Sequence, residues 1–215
     1  MSPAGTPFAA PEYEADSLRR LDPRRVAARL DPLPLQAPPC QPDERAAAVL
    51  LALREGRRGV ELLLVRRADH LDEHAGQIAL PGGRMDPGDG HPGAAALREA
   101  REETGLDPDR VTLLGALDLL PVPVSRHRVQ PVVGWLEAGT VAGAASRETA
   151  QAWFSPLAEL LAVARPALLR GTPVWEFHLA GARVWGMTAL VLADFLDRVA
   201  LLPRWPGQPA EAGAT

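Results

Sequence analysis

The sequence predicts an α+β protein or an α/β/α sandwich. Short apolar runs of strand length alternate with turn-forming clusters along most of the chain, and only two or three segments of helical pattern are set among them. At 215 residues, 47% hydrophobic and 23% charged, the chain suits one soluble domain with a sizeable core and appended tails. The boundaries read from composition are an N-terminal extension and Pro-rich linker over 1–42, one domain over 43–201 that includes a C-terminal strand and helix extension, and a flexible tail over 202–215.

The elements follow in order. The extension is rich in proline, alanine and arginine and has room for one short helix near Ser17–Leu30, before the proline-dense "DPLPLQAPPCQPDE". "RAAAVLLAL" (Arg45–Leu53) and "VELLLVRR" (Val60–Arg67) read as strands, with "REGRRG" as their hairpin connection. "GQIALPGG" (Gly76–Gly83) is a short extended segment stopped by Pro81-Gly82-Gly83, and "RMDPGDGHPG" after it is a loop. Pro92 suits a first helical turn, Gly105 suits the position just past a last one, and Pro108 forbids continuation. The helix therefore runs Pro92–Thr104. "VTLLGALDLLPV", "VQPVVGWLE" and "AQAWF" read as strands, and "SPLAELLAVA" as a helix capped by Ser155 with Pro156 behind it. "VWEFHLA" and "ARVW" form a last hairpin, and Thr188–Leu201 an amphipathic closing helix.

Composition excludes several classes. A formal net charge of −4 gives no electrostatic case for nucleic acid or a membrane surface. Cys40 is the only cysteine, which rules out an intramolecular disulfide. The N-terminus shows no secretory signal and no apolar run is long enough to span a bilayer, so the expected location is cytoplasmic. A homodimer is compatible with the sequence.

The stretch that carries chemistry is "LREAREETGL" (Leu97–Leu106). At 3.6 residues per turn Glu99, Glu102 and Glu103 share an arc of roughly 100°, while Leu97, Ala100 and Thr104 fall on another, mostly apolar one. Like charges at these spacings repel by a few tenths of a kcal/mol per pair. The chain has no lysine, so only Arg98 and Arg101 offset them. A solvated acidic face is the plain alternative. The glycine-rich "PGG" before the helix argues for more, since glycine lets backbone approach a ligand. Clustered carboxylates with a backbone carbonyl are a hard-oxygen set that suits Mg²⁺ or Mn²⁺.

"GGRMDPGDGHPGAAALREAREETGL" resembles the Nudix box, G-x5-E-x7-R-E-U-x-E-E-x-G-U. Arg98, Glu99, Ala100, Glu102, Glu103, Gly105 and Leu106 match its second half, with Ala100 small for an aliphatic position. The first half departs. With Gly83 as the motif glycine the box glutamate falls on Asp89, and eight residues rather than seven separate it from Arg98, so Asp86 or Asp89 could fill that role. The resemblance implies the Nudix α/β/α sandwich with a mixed sheet over roughly Arg45 to Arg165, hydrolysis of a diphosphate bond, and metal ligation by Glu99, Glu102, Glu103 and the Gly82 carbonyl. It also implies that Arg98 holds the carboxylates in place.

"RRADHLDEHAGQIALPGG" (Arg66–Gly83) looks like the segment upstream of the box in coenzyme A pyrophosphatases: Ala68, Gly76, Pro81, Gly82 and Gly83 fall in place. "VWGMTA" and "VQPVVG" are similar to two further stretches of that group. Asp72 stands where the group has arginine, and Leu80 where it has phenylalanine. Either Asp72 faces solvent or the substrate is another nucleoside diphosphate derivative, such as ADP-ribose, a dinucleotide or a nucleoside triphosphate. Arg66, Arg67 and Arg84, with Gly76 and Gly83, are the candidate substrate-binding residues. The general base implied by the resemblance is Glu103 or Glu148, the latter in "SRETAQAWFSPL". A non-catalytic binding module on the same fold is the rival from another class, and the intact second half of the box argues against it. His91 reads as a loop or cap residue, His70, His74, His127 and His178 as too scattered for a metal cluster, and Trp153, Trp175 and Trp185 as core.

Overall fold

The computed structural model describes residues 18, 20–169, 171–179 and 181–202. The expected tail beyond 202 and most of the start of the extension lie outside these. The described part of the extension holds one short helix, α1 (Pro23–Ala27), whose N-cap Asp22 accepts from the Arg24 and Arg25 N–H groups.

The central strand is β1 (Arg45–Gly56). Its apolar run is unbroken because both faces are covered. Ala48, Leu50 and Ala52 pack under the long helix α2 (Pro92–Thr104), with Ala95, Ala96 and Ala100. Val49, Leu51 and Leu53 face the other way, onto Leu157, Leu160 and Leu161 of α3 (Leu157–Ala162) and Leu192 and Phe195 of α4 (Gly186–Arg198). These two faces make the α/β/α sandwich.

β2 (Gly59–Arg67) returns from β1 as the expected hairpin, pairing Gly56 with Gly59 through Leu53 with Leu62. Beyond Leu53 the two strands part. The gap is filled by β3 (Ile78–Ala79), which continues along β2, and β4 (Gly82–Arg84), which pairs Val49 with Gly82 and Ala47 with Arg84. On its other side β1 runs parallel to β7 (His127–Leu136). β7 in turn pairs antiparallel with β5 (Val111–Ala116) and β6 (Leu120–Val122), and β8 (Thr149–Pro156) pairs antiparallel with β2. One parallel contact among antiparallel ones makes the sheet mixed, as the resemblance implies. A second sheet of β9 (Ala164–Leu169), β10 (Thr172–Leu179) and β11 (Ala182–Val184) includes the predicted last hairpin.

Some local readings are corrected. Ser155 caps no helix: it lies in β8 with its backbone paired to Leu62, and α3 starts at Leu157. The helix ends at Ala162 rather than Ala164, and Ala164–Leu169 instead forms β9, which gives β10 a second neighbour. The run Val111–Val122 is two strands rather than one, broken where Gln130 donates to the Leu117 carbonyl. Trp185 is not core: it is 40% exposed with the Arg183 guanidinium 5.2 Å from its ring centroid.

Candidate active site

α2 has the limits its sequence predicts. His91 is the N-cap, with Nδ1 accepting from the Ala94 N–H. Gly105 ends the helix at φ 66, a left-handed conformation glycine adopts without strain. The loop after β7 closes over that end, with Ala145 and Gly143 donating to the Glu103 and Thr104 carbonyls. The helix is therefore anchored at both ends, and its acidic arc is aimed at β4.

Arg98 ties the arc to the preceding loop. Its Nε donates to Asp89 Oδ1 at 3.0 Å and its Nη2 to Asp89 Oδ2 at 3.1 Å, a bidentate pair. Nη2 also donates to the Arg84 carbonyl at 2.9 Å, and Nη1 reaches Glu99 Oε1 at 3.0 Å and both Glu102 oxygens at 3.4 Å. The Asp89 carboxylate is 6% exposed and accepts the Asp86 N–H as well. Of the two acids that could occupy the first motif position, Asp89 is the one locked to the helix. Asp86 lies 3.8 Å from Arg98 and is mostly exposed. The Arg98 hydrogen bonds hold Asp89 below the usual carboxylate range.

Glu99 and Glu103 close on the Pro81-Gly82-Gly83 turn. The Gly82 N–H donates to Glu103 Oε2 at 3.0 Å. A Cβ on Gly83 would stand 2.6 Å from the Glu99 carboxylate, and one on Gly82 would strike β1 backbone. Both glycines are needed for this approach. Burial pushes Glu103 up to about 7, against the Gly82 bond and with help from the Glu99 charge. Burial also raises Glu99, partly offset by Arg98. The Glu99 charge thus penalises ionisation of Glu103, while Glu102 and Asp86 penalise that of Glu99.

A further acid lies just before β8. The β2–β8 register shifts between Arg66–Gln151 and Arg67–Thr149, a bulge at Ala150. The Glu148 carbonyl accepts the Ala68 N–H at 2.8 Å, and its carboxylate lies 3.5 Å from Arg67 Nη2. Both charges are felt at Glu103.

The structure thus gathers Gly82, Gly83, Arg98, Glu99, Glu102, Glu103, Arg67 and Glu148 around one end of α2. It does not bring the other candidates there. Arg66 donates to Asp69 at 2.6 Å, beside the Gly76 turn. Arg84 turns its side chain to the opposite sheet face, onto His127. The Arg67–Glu148 contact escaped the sequence because a bulge leaves no residue signature.

A family model described as NUDIX domain matches residues 43–171. The chain belongs to the Nudix hydrolase family. Relatives named "Uncharacterized Nudix hydrolase NudL", from Salmonella paratyphi B and Salmonella newport, are each 38% identical over 169 residues, 75% of this chain and 86% of theirs. The crystal structure of a NUDIX hydrolase from Alicyclobacillus acidocaldarius shares the fold at TM-score 0.51 and 19% identity, over 74% of this chain and 92% of that one. The protein is accordingly a Nudix pyrophosphohydrolase, and such hydrolases use divalent metal ions.

The residues of this Nudix chain fit such an ion. Gly83 keeps the space before Glu99 free of side chain, and the donors are hard oxygens. As the side chains stand, Glu102 leans on Arg98, and among the described residues no three His, Cys, Asp or Glu side chains converge on one point. Glu102 is 57% exposed and its Arg98 contacts are long, so they hold it only loosely.

Proposed function

We propose that the protein cleaves the diphosphate bond of coenzyme A or its derivatives, giving adenosine 3′,5′-bisphosphate and 4′-phosphopantetheine, with Mg²⁺ or Mn²⁺ held by Glu99, Glu102, Glu103 and the Gly82 carbonyl. The observation that carries the hydrolytic reading is the closure of Glu99 and Glu103 on the Gly82-Gly83 turn. The coenzyme A reading rests on the likeness of Arg66–Gly83 to that group's upstream segment. Two departures from it stand beside that likeness. Asp72 is exposed, and Leu80 is 3% exposed, an apolar filler where the group has a larger one.

The metal, when bound, neutralises charge on the phosphoryl oxygens. The chain does the rest. Arg98 and Asp89 fix the carboxylates against the loop, and Gly82 and Gly83 admit the diphosphate close to backbone. Glu148, set by the bulge and by Arg67, takes the proton of the attacking water at its carboxylate. Incubation with coenzyme A and Mg²⁺ or Mn²⁺, read by mass spectrometry, tests this. Release of 4′-phosphopantetheine supports it. Turnover of ADP-ribose or a dinucleotide without attack on coenzyme A would leave a Nudix hydrolase of another substrate.

A further inference from the structure

We infer that Arg45, Arg84 and His127 form an oxyanion subsite that takes a phosphate monoester of the substrate, across the β4 strand from the carboxylates. This rests on the coenzyme A reading and deepens it, since the 3′-phosphate is the group that separates coenzyme A from its dephospho form.

The register brings the three residues together. Arg84 of β4 is opposite Ala47 of β1, and Arg45 of β1, two residues back on the same face, is opposite His127 of β7. Three basic side chains on three adjacent strands therefore share one sheet face. Arg84 Nε donates to His127 Nε2 at 3.3 Å. That bond uses the imidazole as an acceptor and fixes the guanidinium, with its two terminal nitrogens left for another partner. Desolvation and then the Arg84 charge hold His127 below its usual pKa.

Among the described residues no acid balances this group. Among the described residues neither Arg45 nor Arg84 has a carboxylate within ion-pair distance, although the chain carries more acidic than basic residues. The neighbouring acids are engaged elsewhere: Asp43 faces Arg126 at 3.7 Å, Glu44 faces Arg128 at 3.8 Å, and Asp86 lies 3.8 Å from Arg98. Two exposed arginines beside an imidazole with no counter-charge repel one another, and a bidentate oxyanion would relieve that. The position suits a substrate group rather than a bulk ion. Arg84 is one residue, about 3.3 Å of strand, from Gly83, which touches Glu99, and its own carbonyl holds Arg98. A diphosphate at the Gly82-Gly83 turn would carry its next anionic group around the strand end to this pair.

The test compares kcat/KM for coenzyme A and dephospho-coenzyme A in the full chain and in the Arg45→Ala/Arg84→Ala variant. Both side chains are exposed, so the variant keeps its fold. A preference for coenzyme A of about tenfold or more that falls to near unity in the variant is the expected result. Hydrolysis of both substrates with a ratio that the variant leaves unchanged overturns the subsite and spares the substrate reading. If neither substrate is cleaved, the substrate reading fails and binding decides the subsite. Titration calorimetry with adenosine 3′,5′-bisphosphate and AMP then supports it if the bisphosphate binds about tenfold tighter and loses that margin in the variant, and overturns it if the two bind alike.

Discussion

Replacing Glu103 by Gln removes a charge and keeps a hydrogen-bond acceptor for the Gly82 N–H, so its effect isolates ionisation. Glu103 rises from 4.5 to about 7 on folding, chiefly through burial. The interval corresponds to about 3 kcal/mol, and screening of a partly exposed carboxylate reduces it to about 1–2 kcal/mol. For an acid whose folded pKa is raised, the stability is fully present below pH 4.5 and is lost as the pH rises through about 7. In chelator at pH 8 the Gln variant is therefore more stable than the native chain by about 1–2 kcal/mol, and at pH 5 most of that gap has closed. Urea denaturation at the two pH values measures it. Saturating Mg²⁺ reverses the order: at 100 times its dissociation constant it adds about 2.7 kcal/mol to the native chain and much less to the variant. A Gln variant less stable than native at pH 8, or equal Mg²⁺ shifts in both proteins, would refute a buried carboxylate kept for a cation.

Other expectations follow from single contacts. Glu148→Gln lowers kcat by roughly 10²–10⁴; undiminished turnover returns Glu148 to the role of a surface residue. Gly83→Ala drives a methyl into the space of the Glu99 carboxylate, and Mn²⁺ titration should show affinity weakened roughly tenfold or more, with the fold intact. Arg54 makes two bonds to Glu61, at 2.9 and 2.8 Å, one to the Thr140 carbonyl, and stacks 3.4 Å from the Phe154 ring centroid. Arg54→Ala strands a carboxylate on a residue only 8% exposed and costs about 3 kcal/mol by denaturation, and pairing it with Glu61→Leu recovers much of the loss.

What the sequence shows best is what local chemistry decides. Proline and glycine bracket α2, and the structure ends it at the same residues. The β1–β2 hairpin is as plain, since its turn and its apolar runs are contiguous. The arc of glutamates is a matter of helical period, and so is the orientation of Ala100 toward β1. Contacts that cross the chain are another matter. The parallel pairing of β1 with β7 joins residues about eighty positions apart and places Arg45 against His127, so a histidine that looked isolated has two arginines for neighbours. β9 was hidden because its first residue, Ala164, continues the preceding helical pattern and Pro166 argues against a strand, so only the free edge of β10 makes it one. The extra residue in the box loop was visible as a spacing. That it leaves Asp89 buried against Arg98 was not.

The grip of Arg98 on the loop has a consequence for how the ion is exchanged. Asp89, the Arg84 carbonyl and Glu99 are already fastened through one guanidinium before any cation arrives. At the proposed site, loading then demands little ordering of the chain, and little entropy is forfeited. Such a protein can shed its ion and recover it without the surrounding loop coming apart, and a switch between two divalent ions would register their own coordination preferences more than any rearrangement of the scaffold.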